Sequence, residues 1–166
     1  PIHLLALYER LYRAYGPQHW WPADSKIEIV LGAILTQATS WTNVERALNN
    51  LKEASCLSTA SLRDIKENEL ALIIYPSGYF NSKAKKLKAF IHYLWRHHNG
   101  DLEAMLSTSN SQLRQELLTI YGIGEETADD IVNAGRTGCV QSSPLCHPSR
   151  LSIHMRDGLT IPSVGF

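Results

Sequence analysis

The feature that most constrains this chain is the run Tyr121-Gly122-Ile123-Gly124, set between two stretches of helical periodicity. Upstream, Leu113, Leu117 and Ile120 recur at helical spacing and define one buried stripe. Gly122 stops that helix, and Gly124 lets the backbone turn tightly without a Cβ clash. Ile123, between the two glycines, is placed to plug the turn into a core. The helix that follows begins with backbone N–H groups that have no acceptor inside it, at the positive end of its dipole. Such a start accepts an anion, and a phosphate fits it. The same residues also suit an ordinary αα-hairpin whose glycines answer only to the turn, and Gly-x-Gly alone does not decide between the two.

The rest of the chain reads as helices. Residues 2–15 carry Leu4, Leu7, Tyr8, Leu11, Tyr12 and Tyr15 on one broad apolar face. Ser25 and Glu28 form a capping-box pattern, and the helix it opens (Ile27, Ile29, Val30, Leu31, Ala33, Ile34, Leu35) is apolar nearly all round. It is therefore predicted to be the central buried one. Residues 44–51 and 61–74 are amphipathic, with Leu62, Ile65, Leu70 and Ile73 inward in the second. Asn81 or Ser82 then caps a long helix with Ala84, Leu87, Phe90, Ile91 and Leu94 inward and Lys83, Lys85, Lys86 and Lys88 on the other face. Asn99-Gly100 closes it, and a short helix near Leu102 to Leu106 precedes the hairpin. No strand pattern or repeat precedes Ile131, so the class is all-α. From residue 133 onward glycine, proline and serine are frequent, lysine is absent and Asp157 is the single carboxylate, which predicts an irregular tail over 133–166.

The length of 166 residues supports one domain or two small ones. Lys+Arg and Asp+Glu both number 16, so no global basic field announces a nucleic-acid partner, and any such binding rests on a local patch. No signal peptide pattern is present, and no apolar run approaches the about 20 residues of a membrane span. Cys56, Cys139 and Cys146 form no disulfide framework, which points to a reducing cytoplasm.

Residues 117–131 resemble the helix-hairpin-helix of the endonuclease III superfamily of DNA glycosylases. That motif usually reads Leu-Pro-Gly-Ile/Val-Gly followed by Thr-Ala; here Tyr121 replaces the proline, while Gly122, Ile123, Gly124, Thr127 and Ala128 match. The resemblance implies the helix-hairpin-helix glycosylase fold, with Gly122, Ile123, Gly124 and Thr127 gripping a DNA phosphate beside the damaged nucleotide. It runs from about Trp20 to Ile131. Trp20-Trp21-Pro22 ahead of a Gly-Ala-x-Leu-Thr-Gln helix is similar to the 3-methyladenine glycosylase branch, which holds its base on that aromatic pair. The tryptophans alone fit either a core plug or a stacking platform, where stacking is worth ~1–3 kcal/mol per base and a cationic alkylated purine gains a cation–π term. Gln37 alone is a helix C-cap amide; by resemblance it enters the duplex beside the target base. The lysines after Gly78 read as a solvated face or as backbone-phosphate contacts.

Bifunctional relatives carry a lysine two residues after the second hairpin glycine, and here that position is Glu126. Without an amine no Schiff base forms, so lyase chemistry is not expected and hydrolysis by water remains. That route needs a carboxylate near the sugar. The family segment that supplies it would fall near Pro144, and no Asp or Glu lies between Asp130 and Asp157. Asp129 and Asp130 are read as partners of the helix dipole. Cys139 and Cys146 match the first spacing of the family's iron–sulfur pattern, but Ser149 stands at the third ligand, and His147 and His154 add no recognised spacing, so neither metal nor cofactor is predicted.

These readings divide the chain into an N-terminal helix and aromatic loop (1–24, part of a second helical domain left incomplete), a barrel-like helical domain (25–132) and the tail. Loss of resemblance together with the change in composition predicts a truncated or out-of-frame C-terminus. The implied function is a monofunctional glycosylase acting on alkylated purines of the 3-methyladenine type in double-stranded DNA, monomeric, cytoplasmic and nucleoid-associated. A non-catalytic helix-hairpin-helix DNA-binding module is the alternative, and a helical interaction domain without nucleic acid a third.

Overall fold

The most apolar helix is also the innermost. In the computed structural model, which describes residues 4–16 and 23–137, every residue from Ile27 to Leu35 is buried. With no polar face to turn outward, this helix is stable only when neighbours cover all its sides. It is α2 (Lys26–Leu35), and it follows α1 (Leu4–Tyr15). Around it stand α3 (Trp41–Glu53), α6 (Phe80–His98) and α9 (Glu125–Thr137), each packed against it. Val44, Ala47 and Leu48 of α3, Leu87 and Ile91 of α6, and Ala128, Ile131 and Val132 of α9 belong to the same core. The short helices α4 (Thr59–Asp64) and α5 (Glu67–Ile73), a 3-10 turn (Tyr75–Ser77), α7 (Leu102–Leu106) and α8 (Asn110–Leu118) complete the described residues. All regular elements among them are helical, as the periodicity predicts.

Four local expectations change. The Ser25–Glu28 pair is not a reciprocal box: the Ser25 side chain caps no amide. Instead the buried Glu28 carboxylate accepts from Ser25 Oγ at 3.1 Å and from the Asp24 amide at 3.4 Å, and pairs with Lys52 at 2.9 Å. Second, the helix expected over 61–74 is two helices. The chain is extended at Ile65, and Lys88 Nζ donates to the carbonyls of Leu62, Arg63 and Ile65 at 2.7–2.9 Å, holding the end of α4 open from a distant helix. Third, α6 starts at Phe80 after Tyr79 in left-handed backbone, φ 45°, ahead of the expected Asn81 or Ser82 caps. Fourth, α9 runs to Thr137, so the first residues of the expected irregular tail are helical; residues 138–166 lie outside the described ones.

At the C-terminal end of α6 the expected stop is found. Asn99 and Gly100 both have positive φ, and the Gly100 amide reaches Leu94 O at 3.2 Å. A Cβ on Gly100 would stand 2.7 Å from the Trp95 ring, so the position needs glycine on two counts. On α1, Leu7 and Leu11 of the broad apolar face are 42% and 50% exposed.

Candidate nucleic-acid interface

The hairpin forms as a turn between α8 and α9. Ser109 opens α8 by accepting from the Gln112 amide at 3.2 Å. Leu113, Leu117 and Ile120 are buried, and Ile123 is 5% exposed and plugs the turn, as its apolar side chain requires. The two glycines differ. Gly122 has φ +84°, and a Cβ there would stand 2.3 Å from Lys86 Cγ. Gly124 has ordinary φ and open space where its Cβ would lie; the expectation that both glycines serve the turn therefore holds for Gly122 alone.

The first helical hydrogen bond of α9 runs from the Ala128 amide to Gly124 O at 2.9 Å. The amides of the preceding turn thus have no intrahelical acceptor and point out of the helix end. Ile123 is excepted, since its amide already donates to Ile120 O at 3.1 Å. The Thr127 side chain turns away from that end. It is buried, and its hydroxyl accepts from Gln37 Nε2 at 2.9 Å, so its side chain faces the core and only its amide is placed toward the helix end.

Gln37 lies two residues beyond α2 and touches the hairpin at two points. Its Nε2 donates to Gly122 O at 3.0 Å as well as to Thr127 Oγ1. Its Oε1 accepts from Lys86 Nζ. The aliphatic stem of Lys86 lies over the Gly122 α-carbon, where no other residue type leaves room. Lys83, one turn earlier on α6, is 2% exposed. Its ammonium donates to Leu35 O at 2.8 Å and to Ser77 O at 2.6 Å. Burial, helped by the nearby Lys86 charge, pushes it down to about 8. The lysine face expected on α6 is therefore mostly not a solvated face. Lys83 is buried, Lys86 is joined to Gln37 and Lys88 caps α4, which leaves Lys85 exposed.

Residues 31–136, which span α2 through α9, match the HhH-GPD superfamily base excision DNA repair protein family. The chain belongs to that superfamily. It is 45% identical over 128 residues to a Methanocaldococcus jannaschii protein named as a DNA repair glycosylase, covering 76% of this chain and 58% of that one. It is 24% identical over 112 residues to endonuclease III homolog 1, chloroplastic, of Arabidopsis thaliana, covering 68% of this chain and 27% of the relative. The structure is similar to that of H. pylori 3-methyladenine DNA glycosylase MagIII bound to 1,N6-ethenoadenine, with TM-score 0.65 and 32% identity, over 78% of this chain and 61% of that one. This chain thus spans about three fifths of the first two proteins' length or less.

Within this HhH-GPD domain, Glu126 is exposed in the first turn of α9 beside Glu125. Both carboxylates suit the helix dipole and oppose an incoming phosphate. Asp129, expected as a dipole partner, is held by Arg114 at 2.6 Å, and the same guanidinium reaches Glu125 at 3.6 Å. Asp130 is half-buried, and burial, then Glu126 and Asp129, raise its carboxyl above the usual range. Among the described residues no group of His, Cys, Asp and Glu could hold a metal, and no helix is long and apolar enough to cross a membrane. Trp20, Trp21 and Pro22, like Cys139, Cys146, His147, His154 and Asp157, lie outside the described residues.

One residue escaped the sequence reading. Tyr79 is 76% exposed on left-handed backbone, two residues from Ser77, whose carbonyl Lys83 joins to the end of α2. An aromatic side chain in that conformation is held at a cost of order 1–3 kcal/mol. Its only signal in the sequence was a tyrosine following Gly78 at a helix start.

Proposed function

We propose that this chain is the greater part of a monofunctional DNA glycosylase that removes alkylated purines of the 3-methyladenine type from double-stranded DNA. The observation that carries this reading is the joint between Gln37 and the glycine hairpin. It brings a helix start suited to phosphate against a carboxamide suited to an orphaned base, inside a domain of the HhH-GPD superfamily. The phosphate would sit at the amides after Gly122, with Gly124 leaving room for close approach. Gln37 would fill the space of the flipped nucleotide, and Trp20 and Trp21 with Pro22 would stack on the extruded base. Tyr79, exposed beside the same end of α2, would wedge the adjoining base step.

In the reaction, water adds to C1′ while the N-glycosidic bond breaks and the purine leaves with the bonding electrons. A purine alkylated at nitrogen carries a positive charge and is a good leaving group, so no amine nucleophile is needed. Glu126, at the position where lyases of the family carry lysine, fits that route. No Asp or Glu lies between Asp130 and Asp157, the stretch where the carboxylate that would stabilise the oxocarbenium-like sugar is expected. The second reading, a non-catalytic module that grips DNA monomerically, is favoured by that same gap.

Single-turnover release of base from a duplex with one 3-methylated or 7-methylated purine separates the two, with binding to a stable abasic analogue measured in parallel. Release with no strand cleavage is the expected outcome. Tight binding without release supports the module, and neither release nor binding removes both.

A further inference from the structure

We infer that Lys86 is a positioning residue that fixes which way round the Gln37 carboxamide meets the hairpin, so that the phosphate grip and the filling of the gap are coupled through this amide and its ammonium partner. The inference rests on the glycosylase reading above and adds a residue to it.

A carboxamide has two donors on one side and an acceptor on the other, and rotation by half a turn exchanges them. At Gln37 the donor side faces two oxygens, Gly122 O at 3.0 Å and Thr127 Oγ1 at 2.9 Å. The Gly122 carbonyl can only accept, so the exchanged rotamer would set oxygen against oxygen. Lys86 Nζ, which can only donate, fixes the other end by donating to Oε1. A charged donor makes that hydrogen bond stronger than a neutral one. One orientation of the amide satisfies all three partners.

The placement of Lys86 is in turn fixed by the hairpin. Its Cγ, Cδ and Cε lie 2.3, 2.6 and 3.0 Å from where a Gly122 Cβ would be. The lysine stem therefore packs on the same turn whose following amides face the phosphate. A shift of the hairpin then reaches the Gln37 amide at both ends, directly through Gly122 O and Thr127 Oγ1 and through the lysine stem and its ammonium. Lys86 reaches the gap through Gln37 and has no need of its own contact with the base.

The test is a double-mutant cycle on the full chain, using a duplex with an abasic analogue opposite 2-aminopurine. K86M keeps the stem over Gly122 and removes the ammonium, K86R restores a donor, and Q37A removes the amide. K86M and Q37A are each expected to weaken binding about tenfold, with Q37A/K86M no weaker than either, the non-additivity of residues that act as one. K86R recovers most of the loss, and the 2-aminopurine emission changes alike in K86M and Q37A. Additive losses overturn the inference, because Lys86 then acts without Gln37, as does a Q37A variant that binds like the parent. A parent chain that does not prefer the abasic duplex to an intact one removes the glycosylase reading itself, and the inference with it.

Discussion

Lys83 shows what a single residue carries here. It holds a positive charge in the core with two carbonyls as its partners and no carboxylate. Its folded value of about 8 lies below the ordinary 10.5. Below pH 8 the lysine is charged in both states and burial of the charge weighs against folding. Between about 8 and 10.5 the unfolded chain keeps a proton that the folded chain has released, so this group adds stability as pH rises through that window. Urea unfolding at pH 7.5 and 9.5 checks it: the parent gains on the order of 1–2 kcal/mol relative to K83M over that span. At pH 7.5 K83M is the less stable by about 1–3 kcal/mol, because Leu35 O and Ser77 O lose their donor. The position of Lys83 was legible in the sequence. It shares the register of Leu87, Phe90 and Leu94, all buried, but a run of four lysines within six residues draws the eye to charge before period.

For the elements, the hairpin and the α4–α5 break mark what local reading can and cannot reach. The hairpin carries its own instructions: Gly122, Ile123 and the stripe of α8 are all local, and the structure follows them. The break at Ile65 is not local. It depends on Lys88 from α6, over 20 residues away, meeting three carbonyls at once, and no propensity within residues 61–74 reports that. The two hairpin glycines give a sharper test of this division. G122A forces a left-handed alanine against the Lys86 stem and is expected to cost about 1–2 kcal/mol or more in stability. G124A meets neither obstacle, so its thermal midpoint should stay within a degree or two of the parent, about what a few tenths of a kcal/mol produce in a chain this size. Its affinity for the abasic duplex is nevertheless expected to fall, since the new methyl group occupies the approach to the α9 amides. An unchanged affinity in G124A would remove that approach from the phosphate site.

At the scale of the whole molecule, charge is balanced at 16 against 16, and the local patch that DNA binding requires is small. Three of the four lysines at the start of α6 already donate to protein oxygens, while Glu125 and Glu126 stand at the hairpin. On this stretch of α6 that leaves the exposed Lys85 and the half-buried Lys86, whose bond to a neutral amide keeps its charge, to displace counterions. The binding constant for the abasic duplex should therefore fall with salt at a shallow logarithmic slope, about −2 to −3, where each neutralised phosphate contributes roughly −0.9. Titrations between 50 and 200 mM salt measure it, and a slope steeper than about −5 would mean a basic surface outside the residues described. The family and its all-helical class were legible because they rest on the hairpin and α2. The aromatic platform read at Trp20 and Trp21 and the carboxylate expected near Pro144 lie outside the described residues.

The burial of α2 has a consequence in time. A helix covered on every side, with its last carbonyl, that of Leu35, held by Lys83, has no room to slide or rotate. Gln37, two residues beyond its end, is thus moored to a fixed post, and adjustment of its amide within the hairpin contacts is a matter of side-chain torsions. Those turn over in picoseconds to nanoseconds at exposed sites, whereas collective helix motions take microseconds or longer. Filling the space behind a flipped nucleotide would then keep pace with the nucleotide itself and need not wait for the protein.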